Sequence, residues 1–311
     1  MELEDLSNDF DGSVVGWIKD GTYKVSTQTK GQKVIFNEDS SYMFHERIGS
    51  YIKSIDFNNI DTSHVTNMRG MFAFCENLEE LDLNNFDTSN VIDMNNMFDG
   101  CSSLTSLDLR NFNTSNVRDM AYMFSDCDKL RSIDLSTFDT SQVTDMSHMF
   151  AYCNFKHINL SNFNTSKVIE MAEMFNNCKN LKELDLSSFN AKKLVNMSGM
   201  FYGCEKISKF DLSSFNILKK LKFMQHTFGE CRNLEKLNLS NWKLPSGVNA
   251  YDIFSGCEKL DCLKATDKQL KNIYEEWLAS RQNQVYSNIN PKSLKINKEK
   301  EMQKEKDIDK E

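Results

Sequence analysis

Residues 86–109 read FDTSNVIDMNNMFDGCSSLTSLDL, and variants of this 24-residue phrase recur along most of the 311-residue chain. Eight cysteines mark the recurrence, because they are separated by 26, 26, 26, 25, 26, 27 and 26 residues. They are Cys75, Cys101, Cys127, Cys153, Cys178, Cys204, Cys231 and Cys257, and only Cys262 falls outside the series. A fixed period of this length is typical of a solenoid, in which stacked units bury one continuous core.

The first half of each unit predicts a short helix. Met94, Met97, Phe98 and Cys101 have the i, i+3, i+4, i+7 spacing of one helical face. Residues able to cap a helix start precede the first methionine of the unit: Asn67, Asp93, Asp119, Asp145 and Asn196, with Glu170 as a weaker substitute. Residue types that tolerate a left-handed helix stop precede several of the cysteines: Gly100, Gly203, Gly256, Asp126 and Asn177.

The second half of each unit predicts a strand. Leu104, Leu107 and Leu109 form an L-x-x-L-x-L pattern whose last three residues alternate inward, outward and inward. Ordering the unit costs roughly 1 to 2 kcal/mol per residue, whereas each buried apolar side chain returns roughly 1.5 to 3 kcal/mol, so one unit cannot fold alone. We therefore expect a right-handed α/β solenoid of the leucine-rich-repeat kind, with about eight 26-residue units, a parallel β-sheet on one face and short helices on the other.

The N-terminal residues differ from the repeats. Residues 1–9 are expected to be flexible, and residues 10–57 are expected to form a β cap followed by a first half-repeat. Two strand-like runs between Val14 and Val25 flank Asp20-Gly21, which is a strong hairpin signal. Lys33 to Phe36 is a candidate third strand.

The C-terminal residues also depart from the repeat. The solenoid itself is assigned to residues 58–264. A capping helix is predicted over 265–283, where apolar residues have helical spacing: Leu270, Ile273, Trp277 and Leu278. Residues 284–311 form a charged tail that is expected to be disordered or a single solvated helix.

Composition excludes several classes of function. The net charge of -8 argues against a nucleic-acid partner, and no apolar run is long enough to span a membrane. Residues 1–10 lack the features of a signal peptide, so a cytoplasmic location stays open.

No nucleophile–histidine constellation, phosphate-binding glycine loop or metalloprotease motif is present in the sequence, and we expect neither an enzyme nor a cofactor. The cysteines are interpreted as buried free thiols rather than disulfide or metal ligands, because their side chains would lie parallel.

Two outward columns flank the inward leucines and are the candidate site. The first contains Asp56, Asp82, Asp108, Asp134, Asn159, Asp185, Asp211 and Asn238. The second contains Ser54, Glu80, Ser106, Ser132, His157, Glu183, Lys209 and Lys236, so it changes from acidic and polar to basic along the stack. The first column is interpreted as a solvated polar row with local hydrogen bonds, or alternatively as a site for a cationic ligand or divalent ion.

A structural role is predicted for the residues that start the Asp-Thr-Ser-type turns: Asp61, Asp87, Asn113, Asp139 and Asn164.

The phrase at Phe86–Leu109, Phe112–Leu135 and Phe138–Leu160 resembles the BspA-like leucine-rich-repeat surface proteins of bacteria, a family that includes mycoplasma surface repeats and lipoprotein repeats. The resemblance covers about residues 39–264. It implies a non-enzymatic, surface-exposed protein used in adhesion or host interaction, with no cofactor. Later units depart from the phrase, because Asn190-Ala-Lys replaces Asp-Thr-Ser and Trp242 replaces the phenylalanine.

The leading hypothesis is a protein-interaction or adhesion module at the cell surface or secreted, binding a host or cell-surface protein or a glycan. The candidate partner-binding face comprises Asp56, Glu80, Asp82, Ser106, Asp108, Ser132, Asp134, His157, Asn159, Glu183, Asp185, Lys209, Asp211, Lys236 and Asn238. The alternative is an intracellular scaffold or secreted effector that uses the same solenoid. Neither the partner nor the oligomeric state follows from the sequence.

Overall fold

The computed structural model describes residues 4–5, 14–27, 29–45, 51–215 and 218–288. The chain divides into two compact units, Met1–Asp267 and Lys268–Glu311. The first unit is a β-solenoid. One residue per coil forms an isolated parallel bridge with its equivalent in the next coil, and eight such bridges follow one another from Asp39 to Asn249. The predicted repeat of about eight stacked units is therefore confirmed.

The segments predicted as short helices are not helical, and this part of the prediction was wrong. In the coil that contains Met94 and Met97, the N–H of Met97 donates to the Met94 carbonyl at 3.2 Å, but the N–H of Asn96 donates across to Ala121 of the next coil at 2.8 Å. Asn96 and Gly100 have φ of 58° and 70°. A left-handed residue reverses the right-handed backbone after each turn, so the segment is a run of tight turns that bonds to its neighbours.

The residues of this segment that were predicted to face the core are nevertheless buried. Met94, Met97, Phe98 and Cys101 are all fully buried. The spacing identified the buried residues correctly because alternating left- and right-handed turns and a helix can present the same four side chains to a core. The spacing alone could not identify the backbone.

Strands occur at the two ends of the first unit. They are β1 (Glu4–Asp5), β2 (Val14–Lys19), β3 (Thr22–Thr27), β4 (Val34–Ile35), β5 (Ser54–Asp56), β6 (Ile60–Asp61), β7 (Lys209–Asp211), β8 (Lys236–Leu239) and β9 (Cys262–Ala265). They form sheets ordered β1-β2-β3-β5, β4-β6 and β7-β8-β9. The pairs β3·β5, β4·β6, β7·β8 and β8·β9 are parallel.

The predicted continuous sheet is interrupted. Between Leu81 and Leu186 the L-x-L segments, all within the described range 51–215, are not strands. Their side chains still alternate, since Leu107 and Leu109 are buried and Asp108 is exposed. Alternation reports which side chains face the core, whereas strand pairing also requires the backbones of adjacent coils to approach to about 4.8 Å.

The predicted N-terminal hairpin is confirmed. β2 and β3 pair antiparallel, with Lys19 opposite Thr22 across a two-residue turn. Asp20 and Gly21 in that turn have φ of 53° and 78°, as a type I′ turn requires. β3 then pairs in parallel with β5, so the hairpin continues the stack. β4 lies within the predicted third strand but pairs with β6. The capping role stays a prediction, and residues 1–3 and 6–13 lie outside the described residues.

The second unit begins with α1 (Lys268–Asn288). It corresponds to the helix predicted over 265–283, and its less exposed residues include the predicted Leu270, Ile273, Trp277 and Leu278. Its capping role stays a prediction. Among the residues that the structure describes, every helix is too short or too polar to span a bilayer. The predicted tail falls largely on residues 289–311, which lie outside the described residues.

The core of the solenoid is built from ladders. One phenylalanine per coil stacks on the next, from Phe44 to Phe254, with ring centroids 5.4–6.1 Å apart.

All nine cysteines, which lie in the described part of the chain, are free, and the eight of the series are buried, as predicted. Each of these eight thiols donates to the phenylalanine carbonyl of the preceding coil at 2.9–3.3 Å. Burial raises the pKa of Cys75 and Cys178 to about 12, so both stay protonated.

Candidate partner-binding face

The candidate partner-binding face is formed by the outward residues of the L-x-L segment, or of its equivalent, in successive coils. Thirteen of its fifteen residues are exposed, and Asp56 and Asn238 are half-buried. β5, β7 and β8 carry the two ends of the face, and the non-strand L-x-L segments carry its middle. The structure therefore brings the predicted residues to one surface along the first unit.

The eight aspartate and asparagine residues of the face have a structural role in addition to their exposure. In each, Oδ1 accepts a hydrogen bond from the backbone N–H two residues later, at 2.9–3.2 Å. This is the Asx turn, in which a short side chain replaces a backbone acceptor and turns the chain. The interpretation as a polar row with local hydrogen bonds is thus supported, and these side chains have fixed positions.

Hydrogen bonds and ion pairs lower the pKa of several carboxylates of the face. The guanidinium and N–H of Arg110 hold the pKa of Asp108 at about 2, and hydrogen bonds from Ser136 lower the pKa of Asp134. The side chain of Lys24 lowers the pKa of Asp56, with Lys24 Nζ 2.7 Å from Asp56 Oδ2. A stable negative charge results. The alternative of a divalent ion gains no support, because nowhere in the described ranges do three or more His, Cys, Asp or Glu side chains converge as metal ligands.

Charge changes along the face as the sequence predicted. Glu79 and Glu80 are both exposed near the N-terminal end, and Lys53 Nζ lies 2.9 Å from Glu79 Oε1. At the other end Lys209 and Lys236 are direct neighbours in the β7·β8 register. Asn238 Nδ2 donates to Asp211 Oδ2 at 3.1 Å between the same strands.

Asx turns also occupy the two other corners of the coils. At the Asp-Thr-Ser corner, side-chain oxygens accept from the N–H two residues later at 2.8–3.1 Å, which confirms that predicted role: Asp61, Asp87, Asn113, Asp139 and Asn164. The residues predicted to cap helices make the same bond at 2.8–3.0 Å, although no helix follows: Asn67, Asp93, Asp119, Asp145 and Asn196. Coils that have Asp or Asn at all three positions therefore turn on three polar corners, whereas Glu170 and Phe223 take the methionine-side corner in two of the later coils.

A buried threonine ladder also joins the coils, and the sequence analysis did not predict it. Thr62, Thr88, Thr114, Thr140 and Thr165 are at most 1% exposed. Each hydroxyl accepts the N–H of the Asp or Asn that starts the same turn in the next coil at 2.7–2.8 Å, and donates to the carbonyl of that residue at 3.0–3.2 Å. The recurrence of threonine at this position was the available signal.

An open groove of about 670 Å³ lies away from the predicted face. It is lined by Glu38, His64, Thr66, Asn90, Ile92, Asn116 and Arg118. Its lining side chains carry both signs of charge and belong to the corner between the Asp-Thr-Ser turn and the methionine segment. No sequence motif indicated this groove.

Comparison with known proteins identifies relatives of the repeat. Residues 38–157 and 152–267 match the family described as "Mycoplasma protein of unknown function, DUF285". No curated protein matches the chain. Similar solved structures include a leucine-rich repeat protein from Bacteroides ovatus, with 17% identity, a TM-score of 0.36 and coverage of 81% of this chain and 75% of that one. A leucine-rich cell surface protein from Faecalibacterium prausnitzii has 14% identity, a TM-score of 0.32 and coverage of 82% and 94%.

Proposed function

We propose, from the premise that the chain belongs to the DUF285 family of mycoplasma and BspA-like repeat proteins, that its solenoid is a non-enzymatic binding module. The candidate partner-binding face engages a host or cell-surface protein, or a glycan, and the protein acts at the cell surface or after secretion. The solenoid supplies a rigid support, and the exposed side chains of the face supply the contacts.

The observation that carries this proposal is the row of Asx turns beneath the face. Each turn fixes Oδ1 of its aspartate, and Asp82, Asp134 and Asp185 use that oxygen alone for the bond of the turn. The second carboxylate oxygen is directed by the turn and available to a partner's donors. Side chains held in place before binding lose little conformational entropy on binding, so rigid polar rows of this kind favour recognition.

The charge gradient gives the partner an orientation. A partner with basic groups facing Asp82 and Asp134 and acidic groups facing Lys209 and Lys236 would satisfy both ends of the face. Complementary charge of this kind sets register and association rate more than total affinity. We therefore expect binding to weaken as salt concentration rises.

The test is capture of a panel of extracellular-matrix and host cell-surface proteins by the full chain and by D82N/D134N/D185N. Asparagine keeps the turn acceptor, as Asn159 and Asn238 do at this position, and removes the charge. The matched control is D61N/D87N/D139N, which makes the same change in the Asp-Thr-Ser turns.

We expect the face variant to lose at least ten-fold in affinity for the captured partner and the control to lose less than two-fold, with equal melting temperatures. Equal loss in both variants, or no loss in either, would show that the partner does not bind this face. A chain that captures no member of the panel would contradict the adhesion proposal.

A second candidate function is an intracellular scaffold or a secreted effector. The observation that favours it is the presence of nine free cysteines, because proteins of oxidising compartments commonly pair their cysteines. Fractionation of the native cell distinguishes the two. Recovery of the protein on the outer surface, accessible to added protease, supports adhesion, and recovery only in the cytosolic fraction supports the scaffold.

A further inference from the structure

Six lysines line one corner of three successive coils, away from the candidate partner-binding face. This lysine ridge comprises Lys167, Lys192, Lys193, Lys219, Lys220 and Lys222. All are exposed except Lys167, which is half-buried. The coils are in register here, because the N–H of Val195 donates to Ile169 at 2.9 Å and the N–H of Lys222 donates to Val195 at 2.8 Å. Equivalent lysines are therefore about one coil apart, roughly 4.8 Å.

Acidic residues are nearly absent from the ridge. The segments 164–170, 190–196 and 218–223 contain the six lysines and one acid, Glu170. The same corner of the earlier coils, in segments 61–67, 87–93, 113–119 and 139–145, contains six aspartates and a single arginine. The sign of the corner thus reverses along the stack in a chain whose net charge is -8.

The charge of the ridge is not neutralised within the described residues. None of the six lysines forms a salt bridge there, and Lys167 Nζ donates to the amide oxygen of Gln142, which is neutral. Like charges about 5 Å apart on neighbouring coils repel one another. An anionic ligand that follows the stack would relieve that repulsion along its whole length.

Apolar side chains lie beside the lysines. Phe223 is 42% exposed and Ile169 is 39% exposed. Phe223 occupies the bridge position that has Asp, Asn or Glu in the other coils of the ladder, so the substitution removes a polar residue and presents an aromatic ring next to Lys222. The C–H face of a pyranose ring packs on such a surface, whereas simple counterions do not.

We propose that the lysine ridge binds a linear sulfated polysaccharide. Sulfate groups spaced along a narrow chain can each pair with the lysines of one coil, since Lys192-Lys193 and Lys219-Lys220 follow one another along the stack. The sugar rings between the sulfates can pack on Phe223. A DNA duplex or a flat anionic membrane is wider, and would also face the acidic half of the same corner, including Asp139 and Asp145. The ridge and the candidate partner-binding face lie at different corners of the coil. Loss of binding at one of them therefore leaves binding at the other unaffected.

The test measures binding of size-defined heparin oligosaccharides to the full chain by calorimetry at physiological salt. The ridge variant is K192Q/K193Q/K219Q/K220Q. The matched control is K129Q/K179Q/K206Q/K259Q, which removes the same charge from four exposed lysines of the solenoid that belong neither to the ridge nor to the candidate partner-binding face. We expect the ridge variant to bind at least ten-fold more weakly and the control to change less than two-fold. Equal weakening of both would reduce the effect to net charge and overturn the proposal.

A second variant separates sugar recognition from charge. Phe223→Asn restores the residue that Asn196 and Asn249 place in the adjacent coils. We expect it to weaken heparin binding at least three-fold and to leave binding of inorganic polyphosphate unchanged. Stronger binding of single-stranded DNA, or of vesicles containing an anionic phospholipid, than of heparin oligosaccharides would contradict the proposal and assign the ridge to that ligand class instead.

Discussion

Replacing Thr114 with valine tests the threonine ladder, which joins successive coils through buried hydrogen bonds. The Thr114 hydroxyl accepts the Asp139 N–H at 2.8 Å and donates to the Asp139 carbonyl at 3.0 Å. Valine has nearly the same shape, so the substitution removes both bonds without opening a large cavity. Thr114 is 1% exposed, and water has little access to replace the lost partner.

The magnitude follows from the unsatisfied groups. A buried donor without a partner costs roughly 1 to 3 kcal/mol, and the Asp139 carbonyl loses one of its acceptor interactions as well. We expect the free energy of unfolding to fall by about 2 kcal/mol. The control is Thr105→Val, which makes the same chemical change at an exposed position just before the L-x-L segment of residues 107–109. We expect this control to change the free energy of unfolding by less than about 0.5 kcal/mol.

The assay is urea unfolding followed by circular dichroism and by the fluorescence of the tryptophans, including fully buried Trp242. Hydrogen exchange adds a local readout, because the Asp139 amide should exchange faster in Thr114→Val and be unchanged in Thr105→Val. Equal unfolding midpoints for the two variants, together with an unaltered Asp139 exchange rate, would refute the stabilising role of the ladder.

Three further predictions concern the core, the thiols and the face. Phe124→Ala should lower the free energy of unfolding by about 3 to 5 kcal/mol in urea titrations, with Phe124→Leu much milder, because it leaves a cavity in the stacked ladder. Folded protein at pH 8 should react with a thiol reagent at half-buried Cys262 before Cys75, whose pKa is raised to about 12, and unfolding should equalise them. Arg110→Gln should move the pKa of Asp108 from about 2 back toward 3.8 in a carboxyl NMR titration. Because the pKa of Asp108 is lower in the folded state than in the unfolded state, the Asp108–Arg110 pair stabilises the fold above about pH 4, and this stabilisation is lost as the pH falls toward 2.

Much of the fold could be predicted because the buried positions repeat. The period, the inward set around Met94 and Phe98, and the hairpin at Asp20-Gly21 all follow from side-chain pattern and turn chemistry. The helix prediction failed at Asn96, whose φ of 58° lies inside the supposed helix. Glycines at the equivalent positions of other coils, Gly70 and Gly199, were the available warning.

The candidate site was predicted only in part. The outward position of Asp82 and its neighbours follows from alternation, and their turn role follows from the preferences of short polar side chains. Sequence could not show that Thr88 and its equivalents join coils, because that bond links residues 25 apart. In the sequence Lys192 is only a departure from the Asp-Thr-Ser triplet, because the alignment of Lys192 and Lys193 with Lys219 and Lys220 depends on the register of the coils.

The ladders also determine how this protein can change in length. The contacts of Phe98, Cys127 and Thr88 join each coil to the next one through chemically equivalent groups. A gene that gains or loses one 26-residue copy by unequal recombination would therefore join two surfaces that already fit. The number of copies sets how far a ligand can extend along the stack, in steps of roughly 4.8 Å. Variation in copy number would thus alter reach while leaving the internal chemistry of every coil unchanged.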